Sequence, residues 1–323
     1  MKTPNLLATI ALVSVCSVPG ALGQSYPSRP VRIINPFPAG GGLDYLIRPI
    51  AQKMSENLKH AVIVDNRPGA NGQIGSDLTA KAPPDGYTLL AGTTGALPMN
   101  AVVQVNLPYD PVRDFAPVSN FAESAFLLTV HPSVPARSVK EFIVLAKARP
   151  GEITYASFGT ASSPHFGGEL FNMMAGVKLL HVPYKGSAPS LGALMAGHVM
   201  SSFDSMQSIM PQVRAGRLRA LGLAAAKRSP AAPEVPTISE SGLPGFEVGS
   251  WYGLLAPAKT PREIVARLHA EIVKTLGVPE IRDRITSVGT EPLGNSPEEF
   301  AAQIRNDLVK WGKVARAANI RAE

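Results

Sequence analysis

Asn35-Pro36-Phe37-Pro38-Ala39-Gly40-Gly41-Gly42-Leu43-Asp44 is the stretch on which the reading of this chain turns. It follows Val31-Arg32-Ile33-Ile34, an apolar run that reads as a strand, and precedes a helical segment from Tyr45 to Leu58. Glycines between a strand and a helix let the backbone come close to a ligand. The free N–H groups of the helix start then point at that ligand. Carboxylate and phosphate are what such a site favours, so the stretch predicts a chain that holds a small anion.

Working outward, strand-like runs alternate with helix-like ones. Ala61 to Val64 is a strand, Gln73 to Lys81 a helix, and Tyr87 to Ala91 a buried-type strand ending at Gly92-Thr93-Thr94. This βαβαβ rhythm predicts a parallel sheet covered by helices. A second α/β block follows, with strands at Ala125–Val130, Ile153–Ala156, Leu179–Val182, Val199–Phe203 and Leu218–Ala224. Its helices run from Ser138 (an N-cap with Glu141 three residues on) to Ala148, from Pro164 to Ala175, and from Ser187 to Ala196. After the Pro- and Gly-rich stretch Ser229–Gly245 come the strand Trp251–Ala256 and an amphipathic helix opening at Thr260. A C-terminal helix follows, whose Phe300, Ile304, Leu308 and Trp311 form one core-facing stripe.

Ligands of open α/β sheets bind beyond the carboxyl ends of the strands. Phe37–Asp44, Gly92–Thr94 and Ser157–His165 all occupy that position, and Asp204 ends another strand in the same way. The candidate residues are Phe37, Pro38, Ala39, Gly40, Gly41, Asp44, Thr93, Thr94, Ser157, Gly159, Thr160, Ser162, His165 and Asp204. These loops are rich in N–H and hydroxyl donors and hold no cationic clamp, where Arg would dominate a site built for phosphate. Neutral donors suit a carboxylate that must be released again. Each hydrogen bond to a charged group contributes about 1.5–3 kcal/mol, so four or five reach micromolar affinity after association costs. Thr93 and Thr94 read equally as plain caps. Asp44 is a first-turn acid, or receives a ligand amine or water. His165 is a hydrogen-bonded structural histidine or a ligand contact, and Asp204 caps a helix or pairs with an amine. Lys185 is the one cation able to reach an anion.

The bulk numbers narrow the class. Lys2, the apolar Leu6–Val18 and Ala21-Leu22-Gly23 form a secretory signal peptide, residues 1–23, cleaved near Gly23. The apolar run is too short for a bilayer anchor. The expected location is the periplasm, and the single cysteine, Cys16, would leave with the signal. The roughly 300 residues left favour two domains. The formal charge of +7 comes from scattered basic residues with no aromatic–basic platform, which together with export argues against nucleic acid. A mild positive field attracting anionic solutes fits, as does a plain solubility setting. No Walker A, HExxH or metal-spaced cluster is present, no cofactor or metal is implied, and the chain does not read as an enzyme. Ala188-Pro189-Ser190-Leu191-Gly192 lacks the first glycine of a nucleophile elbow, and a Ser163–His165 pair is no evidence for a triad.

A longer series of motifs carries a resemblance. Tyr26-Pro27-Ser28-Arg29-Pro30 and the glycine stretch are followed by Asn66-Arg67-Pro68-Gly69-Ala70, Pro84-Asp85-Gly86-Tyr87-Thr88-Leu89 and Leu107-Pro108-Tyr109-Asp110-Pro111. Then come Asp114-Phe115-Ala116-Pro117-Val118, His181-Val182-Pro183-Tyr184-Lys185-Gly186 and Trp251-Tyr252-Gly253-Leu254-Leu255-Ala256-Pro257. In this order they resemble the extracytoplasmic solute receptors of the tripartite tricarboxylate transporter family, the Bordetella uptake gene products. The resemblance implies an α/β, two-lobed, type II-like periplasmic binding protein, each lobe a mainly parallel sheet flanked by helices. Residues 24–124 and 250–323 would form lobe 1 and residues 125–249 lobe 2. It implies a monomer that captures a di- or tricarboxylate, acidic amino acid or aromatic acid. It implies delivery to the large and small membrane subunits of the transporter. A sensing module for a signalling partner and a secreted serine hydrolase using Ser190 or Ser163 are the alternatives. Leu43, Asn35, Phe158–Ser162 and Met206-Gln207 depart from the family pattern and bear on ligand identity.

Overall fold

A computed structural model describes residues 26–321; the signal segment 1–23, with Cys16 and Gly23, lies outside the described residues. In chain order the elements are β1 (Val31–Asn35), α1 (Gly42–Leu58), β2 (Val62–Asn66), α2 (Gln73–Ala80) and β3 (Thr88–Thr93). A π turn at Gly95–Met99 runs into α3 (Asn100–Val103), followed by β4 (Phe115–Val130), α4 (Val139–Ala148), β5 (Thr154–Ser157) and α5 (Ser163–Ala175). Then come β6 (Leu180–Pro183), α6 (Ser187–Met195), β7 (Ser201–Ser205), α7 (Met206–Arg214), β8 (Arg219–Leu223) and β9 (Gly249–Pro257). The chain closes with α8 (Arg262–Leu276), α9 (Pro279–Ser287), β10 (Thr290–Pro292) and α10 (Pro297–Ala317).

The strands run in the order β2-β1-β3-β9-β4-β7-β5-β6, with β10 and β8 added against β4. Parallel triplets lie at the two ends: β1 between β2 and β3, and β5 between β6 and β7. Antiparallel β9 and β4 join them. The sixteen-residue β4 belongs to both halves. It pairs β9 from Phe115↔Pro257 to Ala125↔Gly249, then β7 from Phe126↔Ser205 to Val130↔Ser201. Two half-sheets thus curl away from one shared strand.

Adjacent residues on the central strands feed opposite faces. Ile33, Leu89 and Leu254 pack under α1 and α8 with Leu46, Ile50, Leu268 and Ile272. Ile34, Leu90 and Leu255 pack on the other side with Trp251, Phe300 and Ile304. Burial on both faces is why these strands read as continuous apolar runs. The C-terminal stripe divides. Phe300 and Ile304 enter this first-lobe core, Leu308 is only half-buried, and Trp311, Val314 and Ala315 enter the second-lobe core beside Phe126, Phe166 and Phe203. α10 therefore straps both halves. It starts from a full capping box, Ser296 with Glu299.

Candidate functional site

β1 ends at Asn35 and the chain turns through Pro38–Gly41, all exposed, into α1. Gly40 takes φ +80°, where only glycine is unstrained, and no side chain caps the helix at Gly41. The loop is held from beneath by Asp44. Its Oδ1 accepts from Asn35 Nδ2 at 3.2 Å and Asn66 Nδ2 at 3.0 Å; its Oδ2 accepts from Gly40 N–H at 3.0 Å and Arg48 Nε at 2.8 Å. Asn66 also donates to the Phe37 carbonyl at 3.0 Å, and Arg48 donates to Asn66 Oδ1 at 2.7 Å. Burial by itself would raise the Asp44 pKa, but the bonds from Arg48, Gly40 and Asn66 outweigh it and hold it down at about 2. The carboxylate has a donor for each of its four acceptor positions, so of the readings open from the sequence the first-turn structural acid describes its contacts here. Phe37 is half-buried against the first-lobe core, and Pro38 and Ala39 carry the exposed turn.

The facing loop runs from β5 into α5. Ser157 Oγ donates to the Gly159 carbonyl at 3.0 Å, accepts from Gly159 N–H at 3.1 Å, and lies 2.6 Å from His181 Nε2. Ser162 Oγ donates to the same Gly159 carbonyl at 2.6 Å. Gly159 has φ +128° and Ala161, unusually for a residue with a side chain, +62°. Thr160 is exposed at the tip. His165 Nδ1 accepts from Ala161 N–H at 3.1 Å, which leaves its proton on Nε2. The His165 ring stacks on His181 with centroids 3.8 Å apart, and His181 stacks in turn on Tyr155 at 5.1 Å. Burial, then the neighbouring His181, lowers His165 to about 3, and burial lowers His181 to about 4. Both rings are neutral at any ordinary pH. Tyr155 Oη donates to Glu169 at 2.7 Å.

Thr93 Oγ1 accepts from Ala96 N–H at 3.1 Å, a local cap-like bond, whereas Thr94 Oγ1 caps no helix and accepts instead from Trp251 N–H of β9 at 3.1 Å. Asp204, at the end of β7, has no exposed surface. It accepts from Ser205 N–H at 2.7 Å and from Ser187 Oγ at 3.1 Å. Burial raises its pKa to about 7 even though these and the Ser205 and Ser208 hydroxyls oppose the shift.

These segments meet. Gly42, first residue of α1, lies so close to Gln207 of α7 that an added Cβ would stand 1.8 Å from its Nε2. Asn71, held at φ +50°, donates to the Asn100 side chain at 3.0 Å and reaches the Ala161 carbonyl across the cleft at 3.5 Å. A methyl at Gly95 would lie 3.5 Å from Ser163 Oγ. The starts of α1, α5, α6 and α7 all lack a side-chain cap, which leaves first-turn N–H groups open in each, save at Pro164 of α5 and Pro189 of α6, which have none. An open cavity of about 720 Å³ is walled by Glu123, Glu247, Asp307 and Lys310; of the candidate residues it takes in Thr94, and it holds none of the glycine loop. Among the described residues no helix is long and apolar enough to cross a membrane, and no cluster of three or more His, Cys, Asp or Glu is arranged for a metal.

Facing strand ends, a glycine loop and uncapped helix starts make a donor-lined cleft between two lobes. The model of the tripartite tricarboxylate transporter family receptor matches residues 46–320. The chain belongs to this family. A Pseudomonas sp. (strain P51) relative, the UPF0065 protein in the tcbD-tcbE intergenic region, is 41% identical over 312 residues, 96% of this chain and 93% of the relative. Among solved structures, R. palustris Rpa4515 with adipate is similar at 38% identity and TM-score 0.84, covering 92% of this chain and 99% of that one. MatC (Rpa3494) from Rhodopseudomonas palustris with bound malate is similar at 33% identity and TM-score 0.80, covering 90% and 99%. Members of the family are two-lobed periplasmic solute-binding receptors, not enzymes.

Asn66, Arg48, Asn71 and His181 are not among the sequence's candidate site residues, and Gln207 figures there only as a departure bearing on ligand identity; α7, after Asp204, answers to the reading in which that acid caps a helix. Arg48 lies one turn after Asp44, an i,i+4 spacing that could have been noticed. His181 reaches the site only because β6 pairs β5 with Tyr155 opposite it. Ser163 and Ser190, weighed as nucleophiles, make no hydrogen bond to a histidine among the described residues, and Ser190 Oγ is buried without a partner.

Proposed function

We propose that this chain is the receptor of a carboxylate uptake system: it closes two lobes on a small dicarboxylate and delivers it to the large and small membrane subunits of a tripartite transporter. The observation that carries the reading is the meeting of four uncapped helix starts, from both lobes, at one cleft. Helix N-termini and a glycine loop supply positive potential and N–H donors for a carboxylate without a fixed cation. Arg48, one turn into α1, has its charge taken up by Asp44. The ligand would lie against the Pro38–Gly41 turn on one side and the Thr160–His165 turn on the other, with His165 Nε2–H as a neutral donor. Relatives holding adipate and malate support a two-carboxylate ligand. Residues 24–124 and 250–323 would move as one lobe and 125–249 as the other, hinged where β4 changes partner, with the chain acting as an exported monomer.

A serine hydrolase is the rival with an observation behind it, the Ser157–His181 pair at 2.6 Å. There the same hydroxyl is tied to both the carbonyl and the N–H of Gly159, and burial lowers His181, which makes it a weak base for a serine nucleophile. Thermal shift against a panel of mono-, di- and tricarboxylates, with a serine-reactive probe in parallel, tests the proposal. A ligand at about a hundred times its Kd adds roughly 2.7 kcal/mol. Labelling of Ser157, or a panel that leaves the melting temperature unmoved, overturns the receptor reading. A soluble signalling partner that captures the closed form would shift it to sensing.

A further inference from the structure

Two acids lie at the edge of the cleft and the fold treats them oppositely. Asp44 is given Arg48 and three further donors. Asp204 is given no cation. It sits between the starts of two helices, because Ser187 is the first residue of α6 and Ser205 the N-cap of α7, and both bind its carboxyl. It therefore occupies the region where those helix ends favour negative charge.

We propose that Asp204 is a proton-loading group of this receptor: seating an anionic carboxylate at the starts of α6 and α7 makes the buried Asp204 carboxylate take up one proton from solution. The inference rests on the carboxylate-receptor reading above and adds the regulation of that site. The step balances as ligand carboxylate, hydrogen ion and Asp204 carboxylate going to bound ligand carboxylate and neutral Asp204 acid, with no bond made or broken except O–H. Two anions sharing a pair of helix starts inside a closed cleft repel at low dielectric, and the one free to change state does so.

The surroundings leave Asp204 as the group that responds. β4 presents Leu127 beside it, and α6 and α7 present the hydroxyls of Ser187, Ser205 and Ser208. From β9 it faces Tyr252, whose phenol burial pushes up to about 12. Lys185 is exposed, and among the described residues no Lys, Arg or His forms an ion pair with Asp204. Burial places its free-state proton affinity near neutrality, at about 7, so a further upward push falls in a measurable range. The stacked His165 and His181 are neutral throughout it.

Titration calorimetry with adipate and malate, in phosphate and in Tris at pH 7 to 9 where both acids are fully ionised, tests the proposal on the wild-type protein. The buffer dependence should show uptake approaching one proton per ligand near pH 8. The affinity should weaken with rising pH, by up to about tenfold per unit above the free-state value. Asp204→Asn carries a neutral group of the same shape. It should bind with no proton uptake, flat in pH, and at pH 8 at least as tightly as wild type. Binding heat with no buffer dependence in the wild type overturns the proton-loading role and leaves the receptor intact. Loss of binding in Asp204→Asn, with the same melting temperature as wild type, makes Asp204 a direct charged contact and also overturns it. No heat from either acid at any pH overturns the carboxylate reading itself.

Discussion

Asp44→Asn is the perturbation that separates a structural acid from a ligand contact. In the wild type its carboxylate is almost wholly buried and held at about 2, against 3.8 for an ordinary aspartate. A group depressed in the folded state contributes stability above its unfolded pKa and loses it as the pH falls through the folded value. A fall from 3.8 to about 2 corresponds to about 2–3 kcal/mol at pH 7. Removing a partner from a buried charge-assisted cluster gives a figure of similar size, about 2 kcal/mol, because an amide would set its Nδ2 against the Gly40 N–H or Arg48. Half of Arg48 is in solvent, so salt should trim the effect. The assay is urea unfolding of both proteins at pH 7 and again near pH 2.5. The expected gap of about 2 kcal/mol at pH 7 should mostly close in acid, where the wild-type carboxylate is also being protonated. A gap under about 0.5 kcal/mol at pH 7 would refute the reasoning, as would one that persists unchanged in acid.

Gly253→Ala on β9 would put a methyl 2.1 Å from the buried Phe300 ring and should cost about 1–3 kcal/mol, read as a lower urea midpoint at unchanged slope. Ser296→Ala removes the box that starts the strap helix α10 and should cost about 1 kcal/mol in the same assay. His165 and His181 are lowered to about 3 and about 4, so the folded protein binds fewer protons than the unfolded chain, whose histidines titrate at 6.5. Their contribution is full above 6.5 and drains away as the pH falls toward 4 and 3; melting temperatures from pH 7.5 to 4.5 should fall less steeply in His181→Gln than in wild type.

What the sequence made legible was local. The glycine stretch, the βαβ rhythm and the hydroxyl-rich loops after strands are short-range signals, and each lies at a strand end of the cleft. The Ser138–Glu141 spacing predicts a capping box; Ser138 does accept the Glu141 N–H, but Glu141 reaches back to the Arg137 N–H rather than to that of Ser138. What stayed hidden depends on register or on mixed patterning. The first ten residues of β4 carry Pro117 and two register shifts, so they do not alternate cleanly. α7 has Pro211 inside it, which reads as a breaker although Met206, Ile209 and Met210 mark its buried face. Asn35 and Asn66 share Asp44 only because β1 and β2 pair those two residues in register.

The asymmetry between the two acids argues for how the cleft can be both attractive and releasable. A receptor with a fixed Arg opposite the ligand gains a strong bidentate pair but must break it on release. Here the fixed cation is spent inside one lobe, on Asp44, where it stiffens the glycine turn and presents no net charge to the cleft. On the proposed receptor reading, attraction would come from helix starts of both lobes, whose donors would come into register on one anion only when the lobes meet, so the anion would favour closure in proportion to how many starts it engages. Loading a proton on Asp204 would weaken the competing charge at just those helix starts, which ties occupancy of the cleft to closure rather than to either lobe alone.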